Sequence, residues 1–335
     1  MFKNKSILVT GGTGYFGKNF VKYLLENKPV KKIVIFSRDE QKQYHLQNEL
    51  KNHKKYKLLR FFLGDVRDLQ RLNMAIKNID IVIHAAALKH VPAAEYNPME
   101  CVKTNILGAQ NIIEACLKNK VKKVLALSTD KAANPINIYG ASKLVSDKLF
   151  IAANNLVGFS KVSFSVVRYG NVFASTGSVV PFFKKILQQK NKFIPITDLK
   201  MTRFVITIDQ GIDFVIRSLE EMNGGEIFVP KIPSIKITDL AKAFSPKLPI
   251  KIIGIRSGEK LHEILCPRDD AHLTIEFKDY YIITPSIQFY ENNKKFLKNK
   301  RGNLGKKVSL NFQYDSENNK NFLNITEIKK LINEV

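Results

Sequence analysis

The stretch "SILVTGGTGYFG", residues 6–17, decides the fold. A short run of apolar and β-branched residues enters a loop in which Gly11, Gly14 and Gly17 recur at intervals of three, and a helical pattern follows. Strand, glycine turn and helix start in that order bring backbone N–H groups and the positive end of a helix dipole close to a pyrophosphate. Thr13, Tyr15 and Phe16 complete the loop, and all six residues are expected to face a dinucleotide.

The same rhythm continues outward. "KIVIFS" (32–37), "LLRFFLG" (58–64), "DIVIHAA" (80–86), "KVLALST" (123–129) and "VSFSVVRYG" (162–170) read as strands, several of them apolar throughout, with helical patterns between. Strands with no polar face belong to a parallel sheet covered on both sides. The expected class is therefore α/β, a Rossmann-type doubly wound sheet with a smaller C-terminal substrate-binding lobe. Residues 1–170 form the nucleotide-binding part and 171–290 the lobe, whose segments interleave with the first part. Residues 291–335 form a polar tail with a closing helix. In the lobe "TGSVVPFFKKILQQ" and "TIDQGIDFVIRSLEE" read as helices, "GEIFVP" as a strand, and "ITDLAKAF" as a helix capped by Thr238. Residues 293–320 read as a mobile polar connection, and "NITEIKKLINEV" as a capped helix.

Composition narrows the class. Lys and Arg total 54 against 30 Asp and Glu, for a net charge of +24, yet the lysines are dispersed and the aromatics do not alternate with them as a base-stacking surface requires. Nucleic acid is not expected; a positive field also steers an anionic substrate. No apolar run is long enough for a membrane span and the start carries no export signal, so no membrane partner and a cytoplasmic location are expected. Cys101, Cys116 and Cys266 form no metal-ligand spacing and read as reduced structural thiols; no metal site is expected.

Ser37 and Arg38 stand at the end of the second strand, where an NAD site places a carboxylate for the ribose hydroxyls. A guanidinium there pairs with a 2′-phosphate, which favours NADP, although Asp39 restores an acid if the register moves by one residue. Asp65, followed by Val66, ends the third strand as an acceptor for the adenine amino group or as a helix cap. Ala85, Ala86 and Ala87 permit close approach of a flat ring, with Lys89 at the cleft edge, while His84 reads as a buried, hydrogen-bonded histidine.

The fifth strand runs into "LSTDKAANPINIYGASK", residues 127–143. Tyr139 and Lys143 lie one helical turn apart, and an ammonium together with an oxidised nicotinamide favours the phenolate that a hydride-transfer site needs as its base. Asp130 and Lys131 are an additional acid and base. They reach one site only if the chain turns directly after Thr129, since neighbours on a strand point to opposite faces.

This segment, with "HAAALKHVPAAEYNP" and "RSGEKLHE" (256–263), resembles the inverting UDP-N-acetylglucosamine 4,6-dehydratases of pseudaminic-acid biosynthesis, within the extended short-chain dehydrogenase/reductases. The resemblance spans residues 5 to about 290. It implies retained NADP, UDP-N-acetylglucosamine as substrate, a homo-oligomer (hexamer or dimer), a 4-keto-6-deoxy product inverted at carbon 5, and Asp130, Lys131 and Tyr139 as catalytic residues. The chemistry assigns Tyr139 to the 4-hydroxyl, Asp130 as acid to the 6-hydroxyl, and Lys131 as base at carbon 5, a role that needs a pKa depressed by burial or by the neighbouring cations Lys143 and NADP, whereas an adjacent acid would raise it. Thr129 is expected to bond the hydroxyl being oxidised, and Asn105 to belong to the cofactor set. Asn171, Val179, Lys184, Arg203, Arg256 and Glu259, with Lys89, are candidate substrate contacts, the arginines as phosphate clamps. Two rivals remain. A nucleotide-sugar 4-epimerase needs no Asp130–Lys131 pair, and a non-catalytic NADP-binding sensor needs no Tyr139.

Overall fold

The computed structural model describes residues 1–158, 161–189, 191–287 and 296–334. Six parallel strands form its centre: β1 (Ser6–Thr10), β2 (Lys32–Ser37), β3 (Leu59–Leu63), β4 (Ile81–His84), β5 (Lys123–Thr129) and β6 (Ser163–Tyr169). Their spatial order is β3-β2-β1-β4-β5-β6, so the chain reverses its direction of travel between β1 and β4, where open α/β sheets hold their ligands. Every residue of β1 is buried, the apolar Ile7, Leu8 and Val9 between Ser6 and Thr10. The register pairs Thr10 with His84 and Thr129 with Tyr169, which brings the ends of β1, β4, β5 and β6 to one edge.

The sheet continues past β6. Strand Ile227–Pro230 adds parallel to β6, and Tyr280–Ile283, Thr274–Glu276 and Lys306–Lys307 follow antiparallel, giving ten strands. A separate three-stranded sheet joins Asn171–Val172, Thr202–Ile206 and Ser234–Lys236. Beside it Phe173, Phe183, Ile194, Leu240 and Ile328 form a second apolar core. Among the described residues no helix is long and apolar enough to cross a membrane.

Two expectations change. Thr238 is not a cap: strand Ser234–Lys236 pairs with residues 202–204 and carries extended backbone to Lys236, so the helix Ile237–Phe244 begins one residue before Thr238. Residues 293–320 are not a mobile connection from residue 296 onward, whereas 293–295 lie outside the described residues. Sparse anchors hold this polar chain. Phe296 and Tyr314 are buried, and the Asn299 side-chain oxygen accepts from the N–H groups of Arg301 (3.0 Å) and Asn303 (2.9 Å). Strand Tyr314–Asp315 pairs with Ile264–Cys266. The closing helix, Ile325–Asn333, has a complete capping box between Asn324 and Glu327.

Helix α1, Tyr15–Asn27, leaves the glycine loop with Gly14 as its N-cap and no side chain on its first N–H groups. It can start so close to β1 because Gly17 has no side chain: a Cβ there would lie 2.3 Å from the Gly11 carbonyl oxygen and 2.7 Å from the Gly12 Cα. Gly17→Ala should therefore destabilise the protein by about 1–3 kcal/mol, the usual cost of overpacking, read from urea denaturation. A wild-type midpoint would show that the loop and α1 separate freely.

Candidate active site

The site is built where β5 ends. Thr129 is its last residue, and the chain turns at once into a 3₁₀ turn, Asp130–Ala132, so that the side chains of Asp130 and Lys131 meet at 3.0 Å (Oδ1 to Nζ). The Thr129 hydroxyl donates to Asp130 Oδ1 (3.0 Å) and accepts from the Lys131 N–H (3.3 Å), which pins the turn. The helix Ile138–Ala152 then begins with Asn137 as its N-cap, accepting from the Gly140 N–H at 2.7 Å. Gly140 lets this helix lie directly on the turn; a Cβ there would stand 2.2 Å from the Lys131 carbonyl oxygen. Tyr139 is thereby held beside Lys131.

Burial dominates the electrostatics. It raises the Asp130 carboxyl, against the pull of the Lys131 ammonium, and the carboxyl is fully buried with Oδ2 lacking any partner. Burial also drives the Tyr139 phenol up to about 12, opposed by Lys131 and by a hydrogen bond with Thr129. The phenolate is therefore not favoured by this chain alone, and the cation acting on Tyr139 is Lys131. Lys143 is buried one turn along, lowered by desolvation and held up by Asp147.

Lys131 itself is the clearest correction. Burial pulls its pKa down, but Asp130 and Glu263 outweigh that pull and the net shift is upward, so the resting group is an ammonium and not the depressed amine that a carbon-5 base requires. Glu263 Oε1 lies 3.0 Å from Lys131 Nζ, and the Asn171 side-chain oxygen lies 3.5 Å away. Glu263 ends the "RSGEKLHE" segment, and its position in that segment was the only sequence signal it gave. Two further members escaped notice because they read as core. Asp147 Oδ2 accepts from Ser128 (2.7 Å) and from Arg168 (3.2 Å), an ion pair that is entirely buried.

The substrate candidates divide. Asn171, Val179 and Arg203 line one cavity with Ser178 and Phe173. Arg203, however, is not a free phosphate clamp: it donates to the carbonyls of Thr202 (2.7 Å), Leu261 (3.0 Å) and Lys260 (2.9 Å) and faces Glu259 at 3.6 Å. Arg256 keeps a side chain 67% exposed but is joined to Glu259 through two nitrogens at 3.1 Å, and Glu259 also accepts from Thr197. The Glu259 carboxylate is thus occupied by protein groups, which hold it below its ordinary range despite burial. Lys184 lies on the helix Val179–Gln188, and Lys89 donates to the Thr176 carbonyl across the cleft (3.3 Å).

On the nucleotide side Arg38 is 51% exposed and stands 3.6 Å from Asp65, whose carboxylate also binds Arg67 at 2.7 Å. Asp65 does not cap a helix; Asp68 does. Asp39 is consumed as the N-cap of the helix Glu40–Leu50, accepting from the Lys42 N–H, which turns it away from the role of ribose acceptor. Ser37 accepts from Gln43 (3.0 Å), and Val66 is buried. Asn105 does not open to the cleft. It is buried on a π-helical turn, Lys103–Leu107, and joins Leu88 N–H (2.8 Å), Leu88 carbonyl (2.9 Å) and Ser142 Oγ (2.9 Å). It ties the loop after β4, with Ala87 and Lys89, to the Tyr139 helix.

The family model described as a polysaccharide biosynthesis protein matches residues 7–285. The UDP-N-acetylglucosamine 4,6-dehydratase (inverting) of Campylobacter jejuni is 56% identical over 333 residues, covering 99% of this chain and 98% of that protein. A protein named UDP-glucose 4-epimerase from Rickettsia bellii is 42% identical over 339 residues, covering 99% and 96%. The solved structure of Pen from Bacillus thuringiensis superposes with a TM-score of 0.88 at 36% identity, covering 100% and 99%.

His84 gives the site a pH signature. Thr10 Oγ1 accepts from the N–H groups of Ala85 and Ala86 (both 3.2 Å), so its own hydrogen goes to His84 Nδ1 at 2.9 Å, which must be unprotonated. Burial, assisted by the Lys143 ammonium, depresses His84 from 6.5 to about 3. An unfolded histidine binds a proton below pH 6.5 that the native one refuses, so stability present above 6.5 is lost as pH falls toward about 3. His84→Gln should flatten that slope, by up to roughly 1.4 kcal/mol per pH unit, in urea midpoints compared between about pH 6 and about pH 4. Parallel slopes in the two proteins would mean that His84 titrates normally.

Proposed function

The chain belongs to the polysaccharide biosynthesis protein family, and from its site we propose that it is a UDP-N-acetylglucosamine 4,6-dehydratase that inverts carbon 5. The observation that carries the reading is the Asp130–Lys131 pair, its carboxyl fully buried, set against Tyr139. An epimerase returns hydride to the carbon it came from and has no work for a second acid/base pair. The dehydratase must also remove the carbon-5 proton and expel the 6-hydroxyl.

The residues present fit a dinucleotide. The first N–H groups of α1 have no side-chain cap, and Gly11 keeps the loop against Ala85 and Ala86, where a Cβ would stand 2.9 Å from both. Arg38, exposed at the end of β2 with Asp39 turned into a cap, supports NADP over NAD. A nicotinamide held there would supply the hydride acceptor for carbon 4 and the hydride donor for carbon 6, and its positive charge would favour the Tyr139 phenolate.

Tyr139 takes the proton of the 4-hydroxyl, with Thr129 in reach of the same oxygen. The ketone formed acidifies the proton on carbon 5. Asp130, whose pKa burial raises, takes a proton from Lys131 across their 3.0 Å contact and gives it to the departing 6-hydroxyl, which leaves as water. Lys131 holds a proton in the resting enzyme, and passing it to Asp130 leaves the neutral amine that takes the carbon-5 proton. Three buried free cysteines agree with a reducing cytoplasm. Exposed Tyr96, Met99 and Leu107 on the segments 91–107 offer an apolar surface that a second copy would cover in the homo-oligomer. The product is the one from which pseudaminic-acid assembly starts.

Proton NMR of UDP-N-acetylglucosamine with the purified protein in D₂O tests the reading. The expected product is a 6-deoxy-4-keto sugar bearing solvent deuterium at carbon 5 with the inverted coupling pattern. A 4-epimer without deuterium would move the chain to the epimerases. Asp130→Asn and Tyr139→Phe should each lower turnover by about 10²–10⁴-fold, the usual range for a proton-transfer group; retained turnover in either would displace that residue from the chemistry. Arg38→Ala should weaken NADP about 10- to 100-fold, as loss of a charged hydrogen bond does, and leave NAD nearly unchanged in titration calorimetry. Equal losses for both nucleotides would reverse the choice of NADP.

A further inference from the structure

We propose that Glu263 is a positioning residue of the dehydratase reaction, a second carboxylate anchor that fixes the Lys131 amine at the substrate and holds it as the ammonium. The inference rests on the function proposed above and deepens it. Glu263 Oε1 lies 3.0 Å from Lys131 Nζ, the same distance as Asp130 Oδ1, so two carboxylates share one ammonium. Both acids are buried, while the Lys131 side chain retains 22% exposure.

The segment that delivers Glu263 is clamped on both sides. Arg203 holds the carbonyls of Lys260 (2.9 Å) and Leu261 (3.0 Å). The Glu263 N–H donates to Ser316 Oγ (2.9 Å), the Ser316 N–H returns to the Glu263 carbonyl (2.8 Å), and Ser316 is itself buried against Thr202 (2.7 Å). Lys260 Nζ reaches back to the Ala133 carbonyl (2.6 Å), joining this segment to the turn that carries Lys131. Such tethering fixes a carboxylate at a set point.

A buried unpaired oxygen is costly. Here Glu263 Oε2 and Asp130 Oδ2 are both buried without a hydrogen-bond partner. The two acids are shifted in opposite senses, Asp130 upward by burial and Glu263 downward, its own burial outweighed by Lys131 and Arg203. The groups that face Lys131 are Asp130 and Tyr139 from its own turn and helix, Asn171, Arg203, Lys260 and Glu263. Glu263 is the only one of these, besides Asp130, that holds its proton on.

The test is the pH dependence of deuterium entry at carbon 5 of the 4-keto product, followed by NMR with the full-length protein. In wild type the inflection belonging to Lys131 lies high. Glu263→Gln should shift it to lower pH by about 1 unit, as loss of one adjacent opposite charge does, and lower the plateau. Glu263→Asp, which keeps the charge but draws it back, should shift it less in the same direction. A carboxylate that merely supported the fold would cost stability and leave the inflection in place, so an unshifted inflection in whichever variant folds overturns the proposal. Absence of any 4-keto product with wild type would instead remove the dehydratase reading, and this inference with it.

Discussion

The close seat of Gly140 on the Lys131 carbonyl is the constraint on which the rest of the site depends. It forces the helix Ile138–Ala152 to start directly against the turn that ends β5. Tyr139 and Lys131 can then be neighbours although eight positions separate them. Asn137 secures the same contact from the other side, capping the helix with its oxygen while its amide donates to the Gly258 carbonyl at 2.7 Å. One residue therefore joins the helix start to the "RSGEKLHE" loop.

From that seat the buried charges acquire an order. The helix face that packs inward, at 139, 143, 146, 147 and 150, has the spacing of an ordinary core stripe but carries Lys143 and Asp147 in it. Charge at these positions is expensive unless paired. Asp147 Oδ2 is paired by Ser128 and Arg168 while its Oδ1 has no hydrogen-bond partner, and Arg168 in turn donates to the Leu265 carbonyl at 3.2 Å. Fold stability is not what such an arrangement maximises; a stripe of leucines would pack with less desolvation. It makes sense as a device that keeps Lys143 and Tyr139 fixed in a dry cleft, where weak charge differences have large effects.

Most of the central sheet was legible because several of its strands are largely apolar runs, and the glycine loop was legible because only glycine permits the approach of α1 to β1. The turn after Thr129 could be anticipated from the need to bring Asp130 and Lys131 to one side. What stayed hidden shares a physical cause: it depends on partners distant in sequence. The protonation of Lys131 is set by Asp130 beside it together with a carboxylate 132 positions away, the difference between 263 and 131. The fate of Arg203 is set by carbonyls that no side-chain pattern announces. The polar chain after residue 296 lacks periodicity since it is held by isolated aromatics and asparagine side chains, not by a continuous apolar face.

Those distant partners converge on one short segment. Residues 260–265 supply Lys260 to the Ala133 carbonyl, Glu263 to Lys131, and the Leu265 carbonyl to Arg168, so the acid/base turn and the Asp147 network are both closed by the same few residues. Strand Ile264–Cys266 is in turn held by Tyr314–Asp315, from the tail whose composition looks least structured. A change in the tail thus has a mechanical route to Lys131, through Ser316 and the Glu263 backbone it clamps. The lysine-rich surface does not enter that route. Charge at the reacting centre is governed by a handful of buried pairs, and the net charge of +24 acts only on how an anionic substrate arrives.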